Sequence, residues 1–283
     1  MGRVYLPATL ETVFEILSRE PSARLFAGGT DLLVRSSAVR RNEGSLVCLE
    51  RVEGLSGISE SDGAVRIGAC TTHGELMAGG LITERFPILR EAVRHIGAPA
   101  VRNMGTIGGN ICTASPAGDS LPALYVLDAE VELHSAKGQR RMPLGRFISG
   151  PGLTALEPGE VLAAVWIDKD QGFNFHHFEK VGQRKAMAIS VASMAFAAHL
   201  DGAGSVVRAR CALGSVAPKV FTSQALDAFF AGKPLNEETL GAAAALVREG
   251  VSPISDVRAS EEYRRTVAGN LLMRLEGARA AVR

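Results

Sequence analysis

The stretch Met104-Gly105-Thr106-Ile107-Gly108-Gly109-Asn110-Ile111-Cys112-Thr113-Ala114-Ser115-Pro116-Ala117-Gly118-Asp119 packs four glycines, four hydroxyl or carboxylate side chains and one proline into sixteen residues. Glycine and proline weaken helices and strands alike, so the run reads as a loop. Such a loop can bring bare backbone N–H groups close to a negative charge. Asp119-Ser120 then opens a helical pattern (Leu121, Leu124, Tyr125), with Asp119 as the capping residue and Pro122 tolerated in the first turn. A glycine-rich loop leading to a helix N-terminus is a cradle for phosphate. The alternative is a surface loop with no ligand. A second run of the same style, Gly28-Gly29-Thr30-Asp31, follows the apolar strand Arg24-Leu25-Phe26-Ala27 and precedes Leu32-Leu33-Val34.

Other chemistries find little support. The cysteines at 48, 70, 112 and 211 have no close spacing, which rules against a zinc knuckle, a CxxC pair or a cluster-binding run. They fit a reducing cytosol better than a disulfide framework. Six histidines form no metal spacing, and His176-His177 point to opposite faces of a strand. No metal site is expected. A net charge of +1 and 5% aromatic residues point away from nucleic acid. Met1 to Pro7 has no secretory pattern and Leu6 breaks a myristoylation signal, while no apolar run is long enough for a membrane span. A soluble, cytoplasmic protein is expected.

The elements around the loops fall into three parts. In residues 1–54, a helix from Leu10 capped by Thr9 and strands at Arg24–Ala27 and Ser45–Leu49 form a strand–helix–strand unit. Residues 55–171 open on a hairpin turning at Asp62-Gly63. Helices at 72–77, 87–95 and 120–127, a second hairpin at Lys137-Gly138 and a buried strand over Val161–Ile167 follow. Residues 172–283 read as strands over 173–181, 188–200 and 206–213, then helices over 223–230, 237–249 and 261–279. In the last helix Tyr263, Val267, Leu271 and Leu275 make one stripe, expected to be buried. The overall class is α+β, with no internal repeat.

Two glycine-rich loops in different parts of the chain point to one extended ligand with a pyrophosphate clamped between subdomains. Neither loop ends in the Gly-Lys-Ser/Thr of a nucleoside triphosphate site. Gly-x-Gly-x-x-Gly is absent, and the hairpins do not give the alternating pattern of a doubly wound sheet. FAD in a different fold is the natural candidate. Ala27-Gly28-Gly29-Thr30-Asp31-Leu32-Leu33, Thr106-Ile107-Gly108-Gly109-Asn110-Ile111, Thr113-Ala114-Ser115-Pro116 and Asp119 resemble the signature loops of the FAD-binding subunits of molybdenum hydroxylases. That group includes xanthine, carbon monoxide and nicotinate dehydrogenases. Glu160-Val161-Leu162 and Phe178 to Val191 extend the resemblance over nearly the whole chain.

The resemblance implies a two-subdomain FAD-binding domain of the p-cresol methylhydroxylase and vanillyl-alcohol oxidase type, then a C-terminal antiparallel sheet with a helix bundle. It also implies non-covalent FAD bound by Leu25, Phe26, Ala27, Gly28, Gly29, Thr30, Asp31, Leu32, Ile96, Thr106, Ile107, Gly108, Gly109, Asn110, Thr113, Asp119, Leu162, Lys180 and Ile189. Gly28, Gly29, Gly108 and Gly109 would let N–H groups approach the diphosphate, and Thr30, Thr106 and Asn110 would add side-chain bonds. Asp119 would bond a cofactor hydroxyl or simply cap its helix. Ile96 and Leu162 would line flavin or adenine, or be plain core. Lys180 would stabilise anionic reduced flavin; Lys185 is the alternative, and a surface lysine the bland reading. Ile189 would lie near the reactive edge, within a buried strand Met187–Ile189. No side chain of this chain is expected to be catalytic.

By the same resemblance the chain is one subunit of an oxidoreductase complex, electron-transferring and hetero-oligomeric, a dimer of heterotrimers. A large molybdopterin subunit would hydroxylate substrate, and a small 2Fe-2S subunit would pass electrons to the flavin. NAD or another acceptor would then take them in pairs. A freestanding flavin oxidoreductase is the competing reading, and it would need catalytic side chains that the sequence does not offer.

Overall fold

The computed structural model describes residues 3–35 and 44–280. The N-terminal reading on Met1 and Gly2 lies outside them. The chain divides into two compact units that alternate along it. One takes the chain up to Thr83, Gly97–Ala114 and Asp128–Lys169. The other takes Glu84–Ile96, Ser115–Leu127 and the chain from Asp170 on.

The first unit holds two main sheets. β1 (Val4–Tyr5), β2 (Arg24–Phe26) and β3 (Leu46–Cys48) form a parallel sheet in the order β1-β3-β2. The helix Leu10–Arg19 connects β1 to β2. Thr9 caps it, its hydroxyl accepting from the Thr12 N–H, and Val13 enters a core with Val47, Leu49, Val52 and Leu55. β4 (Ile58–Ser61), β5 (Ala64–Gly68), β6 (Glu130–Ser135), β7 (Gly138–Pro143) and β10 (Val161–Asp168) make an antiparallel sheet ordered β4-β5-β10-β6-β7. The expected Asp62-Gly63 turn is there, both residues having positive φ. β8 (Ile148–Gly150) and β9 (Leu153–Thr154) form a small ribbon.

The second unit is a meander of β11 (Phe175–Val181), β12 (Ala192–Leu200), β13 (Val206–Gly214) and β14 (Phe221–Thr222). Along β12, Ala192, Met194, Phe196 and Ala198 join the core built with the helices Glu237–Gly250 and Glu261–Ala280. The alternating residues Ser193, Ala195 and Ala197 are small, which lets the helix Ser120–Val126 pack on β12 and β13. A Cβ at Gly214 would meet both Ser193 Oγ (2.6 Å) and Pro122 (3.1 Å).

Four readings need correction. The run 104–119 is not all loop: Ile107–Thr113 is a helix, with the Thr106 hydroxyl accepting from the Gly109 N–H at 3.1 Å. Its first N–H groups, which a helix leaves unpaired, donate to the Thr71 and Ala69 carbonyls from Ile107 (3.0 Å) and Gly108 (2.8 Å). Long-range bonds thus outweigh the roughly 1 kcal/mol per glycine that propensity subtracts. Asp119 does not cap the following helix by a side-chain hydrogen bond. β12 begins at Ala192, and Met187 and Ile189 are more than half exposed on the preceding loop rather than buried in a strand. In the last helix Tyr263 faces solvent; the buried stripe runs through Arg264, Ala268, Leu271, Leu272 and Leu275.

Arg264 is buried because it answers backbone. Its Nη1 donates to the carbonyls of Val191 (2.8 Å) and Ser215 (3.1 Å), and its Nη2 to Asp256 (2.7 Å). Replacing Arg264 with Met leaves all three acceptors without this donor and is expected to cost about 3 kcal/mol in urea unfolding. Arg258→Ala, which removes the more exposed ion pair on the same carboxylate, is expected to cost under about 1 kcal/mol.

Candidate functional site

In the first unit the two glycine-rich segments lie against each other. A Cβ on Gly28 would fall 1.6 Å from the Met104 carbonyl oxygen, so the two backbones are closer than any other residue at 28 permits. Gly29 has φ +67° and rests on Leu33 and Phe26. Thr30 Oγ1 would lie 3.2 Å from a Cβ on Gly105. The Thr113 hydroxyl sits 2.9 Å from the Gly109 carbonyl and 3.3 Å from Asp31 Oδ2, tying the second segment to the first. Leu25 and Ala27 pack on the core of this unit, and Leu162 is buried in β10, on which the helix Ile107–Thr113 packs. Leu32 starts the short helix after the first loop, and Asn110 donates its N–H to the Thr106 carbonyl.

The donors are distributed unequally. In the second segment the N–H groups of Ile107, Gly108, Gly109 and Asn110 are all bonded within the protein. Gly108 is needed for that docking, since its Cβ would lie 2.6 Å from the Ala69 Cβ. In the first loop the N–H groups of Gly28, Gly29 and Thr30 have no acceptor among the described residues. Gly108 thus lets the helix seat itself, and its N–H and that of Gly109 are engaged within the protein, whereas the three consecutive N–H groups at 28–30 are not.

The second unit joins Asp119 to Lys180, and Ile96 follows His95, whose carbonyl also meets that lysine. Lys180 Nζ donates to Asp119 Oδ2 at 2.6 Å and to the His95 carbonyl at 3.0 Å, with the two charged side chains 6% and 9% exposed. Lys180 is thus no surface lysine, whereas Lys185 is exposed on the loop with Ile189. Burial pushes Asp119 up to about 6, against the downward pull of Lys180. Its other oxygen, Oδ1, is buried and has no partner among the described residues. A carboxylate held this way is an acceptor waiting for a donor.

Residues 1–168 match the family described as FAD binding domain in molybdopterin dehydrogenase. This chain belongs to that family. Residues 177–277 match the CO dehydrogenase flavoprotein C-terminal domain. The xanthine dehydrogenase FAD-binding subunit of Escherichia coli O157:H7 is 35% identical over 260 residues, 91% of this chain and 88% of that protein. Carbon monoxide dehydrogenase from Hydrogenophaga pseudoflava superposes with a TM-score of 0.92 at 30% identity, covering 99% of this chain and 97% of the other. Quinoline 2-oxidoreductase from Pseudomonas putida 86 gives 0.92 at 31%, covering 100% and 99%. The chain is thus an FAD subunit of the molybdenum hydroxylase family, an oxidoreductase flavoprotein.

Within that family's FAD-binding domain, other chemistries are muted. Among the described residues no group of three or more His, Cys, Asp or Glu could hold a metal. All four cysteines are free, and burial pushes the Cys70 and Cys112 thiols up to about 12, far from nucleophilic thiolates. No described helix is long and apolar enough to cross a membrane. One residue that sequence reasoning passed over is His73, 2% exposed and beside Gly105. No local signal marks it, because its neighbours come from segments some thirty and forty residues away.

Two outcomes follow. Gly28→Ala forces a Cβ onto a carbonyl that no rotamer can move, and is expected to destabilise by about 3 kcal/mol. Gly80→Ala, at a helix position with nothing within 4 Å, should be neutral or slightly stabilising in the same urea titration. Lys180→Met strands a buried carboxylate, so Asp119→Asn/Lys180→Met should lose less stability than the two single losses summed, by about 1 kcal/mol or more. Additive losses in the double-mutant cycle would contradict the pairing.

Proposed function

We propose that this chain is the FAD-carrying electron-transfer subunit of a molybdenum hydroxylase complex. It takes electrons from a 2Fe-2S partner subunit and passes them to NAD or another acceptor, while a separate molybdopterin subunit hydroxylates the substrate. The partners would assemble with it as a dimer of heterotrimers in the cytoplasm. The residues fit FAD. The observation that carries this reading is the loop of the first unit, where the N–H groups of Gly28, Gly29 and Thr30 have no acceptor among the described residues in a chain of this family; the second unit separately holds a buried Asp119 Oδ1 with no donor among them. Three N–H groups and the Thr30 hydroxyl suit a diphosphate, and a buried acceptor suits a hydroxyl.

Bound FAD supplies the conversion between single electrons and hydride. The chain's own residues hold and tune it. Gly28 to Thr30 donate towards the diphosphate, with Thr106 and Thr113 fixing the neighbouring helix and Asp31. Leu25, Phe26, Ala27, Leu32, Ile107, Leu162, Ile96 and Ile189 would line the cofactor. Asp119 accepts from a cofactor hydroxyl and holds Lys180, whose ammonium stabilises negative charge nearby. Attachment is non-covalent in this reading, since the first loop offers Thr30-Asp31 rather than a histidine. Divisions at 1–54, 55–171 and 172–283 serve as the working domain boundaries.

Affinity purification of the full chain from its native cell is the test. A flavin released by acid, two co-purifying subunits bearing iron–sulfur and molybdenum, and flavin reduction that requires both partners are expected. A chain that takes up no FAD, or one that oxidises an organic substrate alone, defeats this reading.

A further inference from the structure

His73 stands in the first turn of the helix His73–Ala78, inside the capping box formed by Thr72 and Glu75. A buried imidazole ordinarily has its nitrogens answered. Here Nδ1 is sealed from solvent and has no hydrogen-bond partner among the described residues. One neutral tautomer would bury an N–H with nothing to receive it; the other leaves only an unused lone pair. The second costs less, because orphaned donors are rarer than under-used acceptors. The proton therefore sits on Nε2. Burial pushes the imidazole down to about 4, with Arg102 acting in the same direction, so the ring is neutral near pH 7.

The Nε2 edge has a direction. The His73 N–H donates to the Gly105 carbonyl at 2.9 Å. A Cβ built on Gly105 would lie 3.4 Å from His73 Cδ2, the carbon bonded to Nε2, and 3.2 Å from Thr30 Oγ1. The side-chain position that Gly105 leaves empty is thus bordered by the Val101 carbonyl oxygen (3.1 Å), by the imidazole edge and by the hydroxyl that follows the Gly28 and Gly29 N–H groups.

We propose that His73 is a ligand of the cofactor diphosphate, its neutral Nε2–H donating to a phosphate oxygen where the two glycine-rich segments meet. The inference rests on the FAD reading above. It adds a side-chain donor from outside both signature loops. A neutral donor buried on one side keeps a fixed direction, which a mobile surface cation would not.

FAD and riboflavin binding by the full chain, followed by flavin fluorescence, test it on wild type, His73→Phe and His73→Gln. His73→Phe should weaken FAD binding by about tenfold or more, the scale of one hydrogen bond to a charged group. His73→Gln, whose amide N–H can reach the Nε2 position, should recover most of that loss. Riboflavin, which lacks phosphate, should change by less than about twofold. Nitrogen-15 NMR of the wild type should report the Nε2–H tautomer and a shift of that nitrogen when FAD is added. Equal FAD affinity in wild type and His73→Phe, an equal loss for riboflavin, or an Nδ1–H tautomer would overturn the assignment while leaving the FAD reading in place. A folded wild type that takes up no FAD would remove both.

Discussion

A carbonyl oxygen and a Cβ cannot occupy the same space, and at Gly28 they would be 1.6 Å apart. The glycine-rich segments of the first unit are arranged around that exclusion. With hydrogen in place of a side chain, the backbone at 28 lies directly on the Met104 carbonyl. Gly105 then comes within reach of Thr30, and Thr113 within reach of Asp31. The helix Ile107–Thr113 is anchored from its other side, where Ile107 and Gly108 donate to the edge formed by Ala69 and Thr71. The glycines of the two signature runs therefore differ in purpose. Gly28 and Gly108 allow protein to meet protein, and the loop at 28–30 leaves three consecutive N–H donors without an acceptor among the described residues.

The second unit follows a different logic, in which charge is confined rather than exposed. An ammonium and a carboxylate removed from water usually gain little over an apolar pair of the same shape. Lys180 and Asp119 make sense as retained polarity. The lysine is held by one carboxylate oxygen and one backbone carbonyl, and the other carboxylate oxygen is left without a donor. Arg264 shows the contrasting case in the same unit: a buried cation whose Nη groups tie together Val191, Ser215 and Asp256, and whose purpose is architectural.

What the sequence made legible was local. The Asp62-Gly63 turn, the Thr9 cap and the alternating strands depend on neighbours a few residues away, and they appear where the pattern places them. The helix at 107–113 was illegible because its stability comes from carbonyls about forty residues earlier, against the propensity of its own glycines. The Tyr263 stripe misled for a related reason. Hydrophobic spacing assumes that arginine faces water, and Arg264 does not. At the site, the types of Asp119 and Lys180 were readable from their motifs, but the bond between them spans 61 residues and left no trace in either motif. His73 carried no local mark at all.

The alternation of the two units along the chain bears on how such a subunit can be built and inherited. The second unit owns Glu84–Ile96 and Ser115–Leu127, both embedded in the sequence of the first. No single break in the polypeptide parts them. A split near residue 171 would leave Lys180 on one fragment and both of its partners, Asp119 and the His95 carbonyl, on the other. Gene fusion at either end leaves this weave intact, whereas fission within it does not. Fragments cut there would have to reassociate to restore the bonds of Lys180.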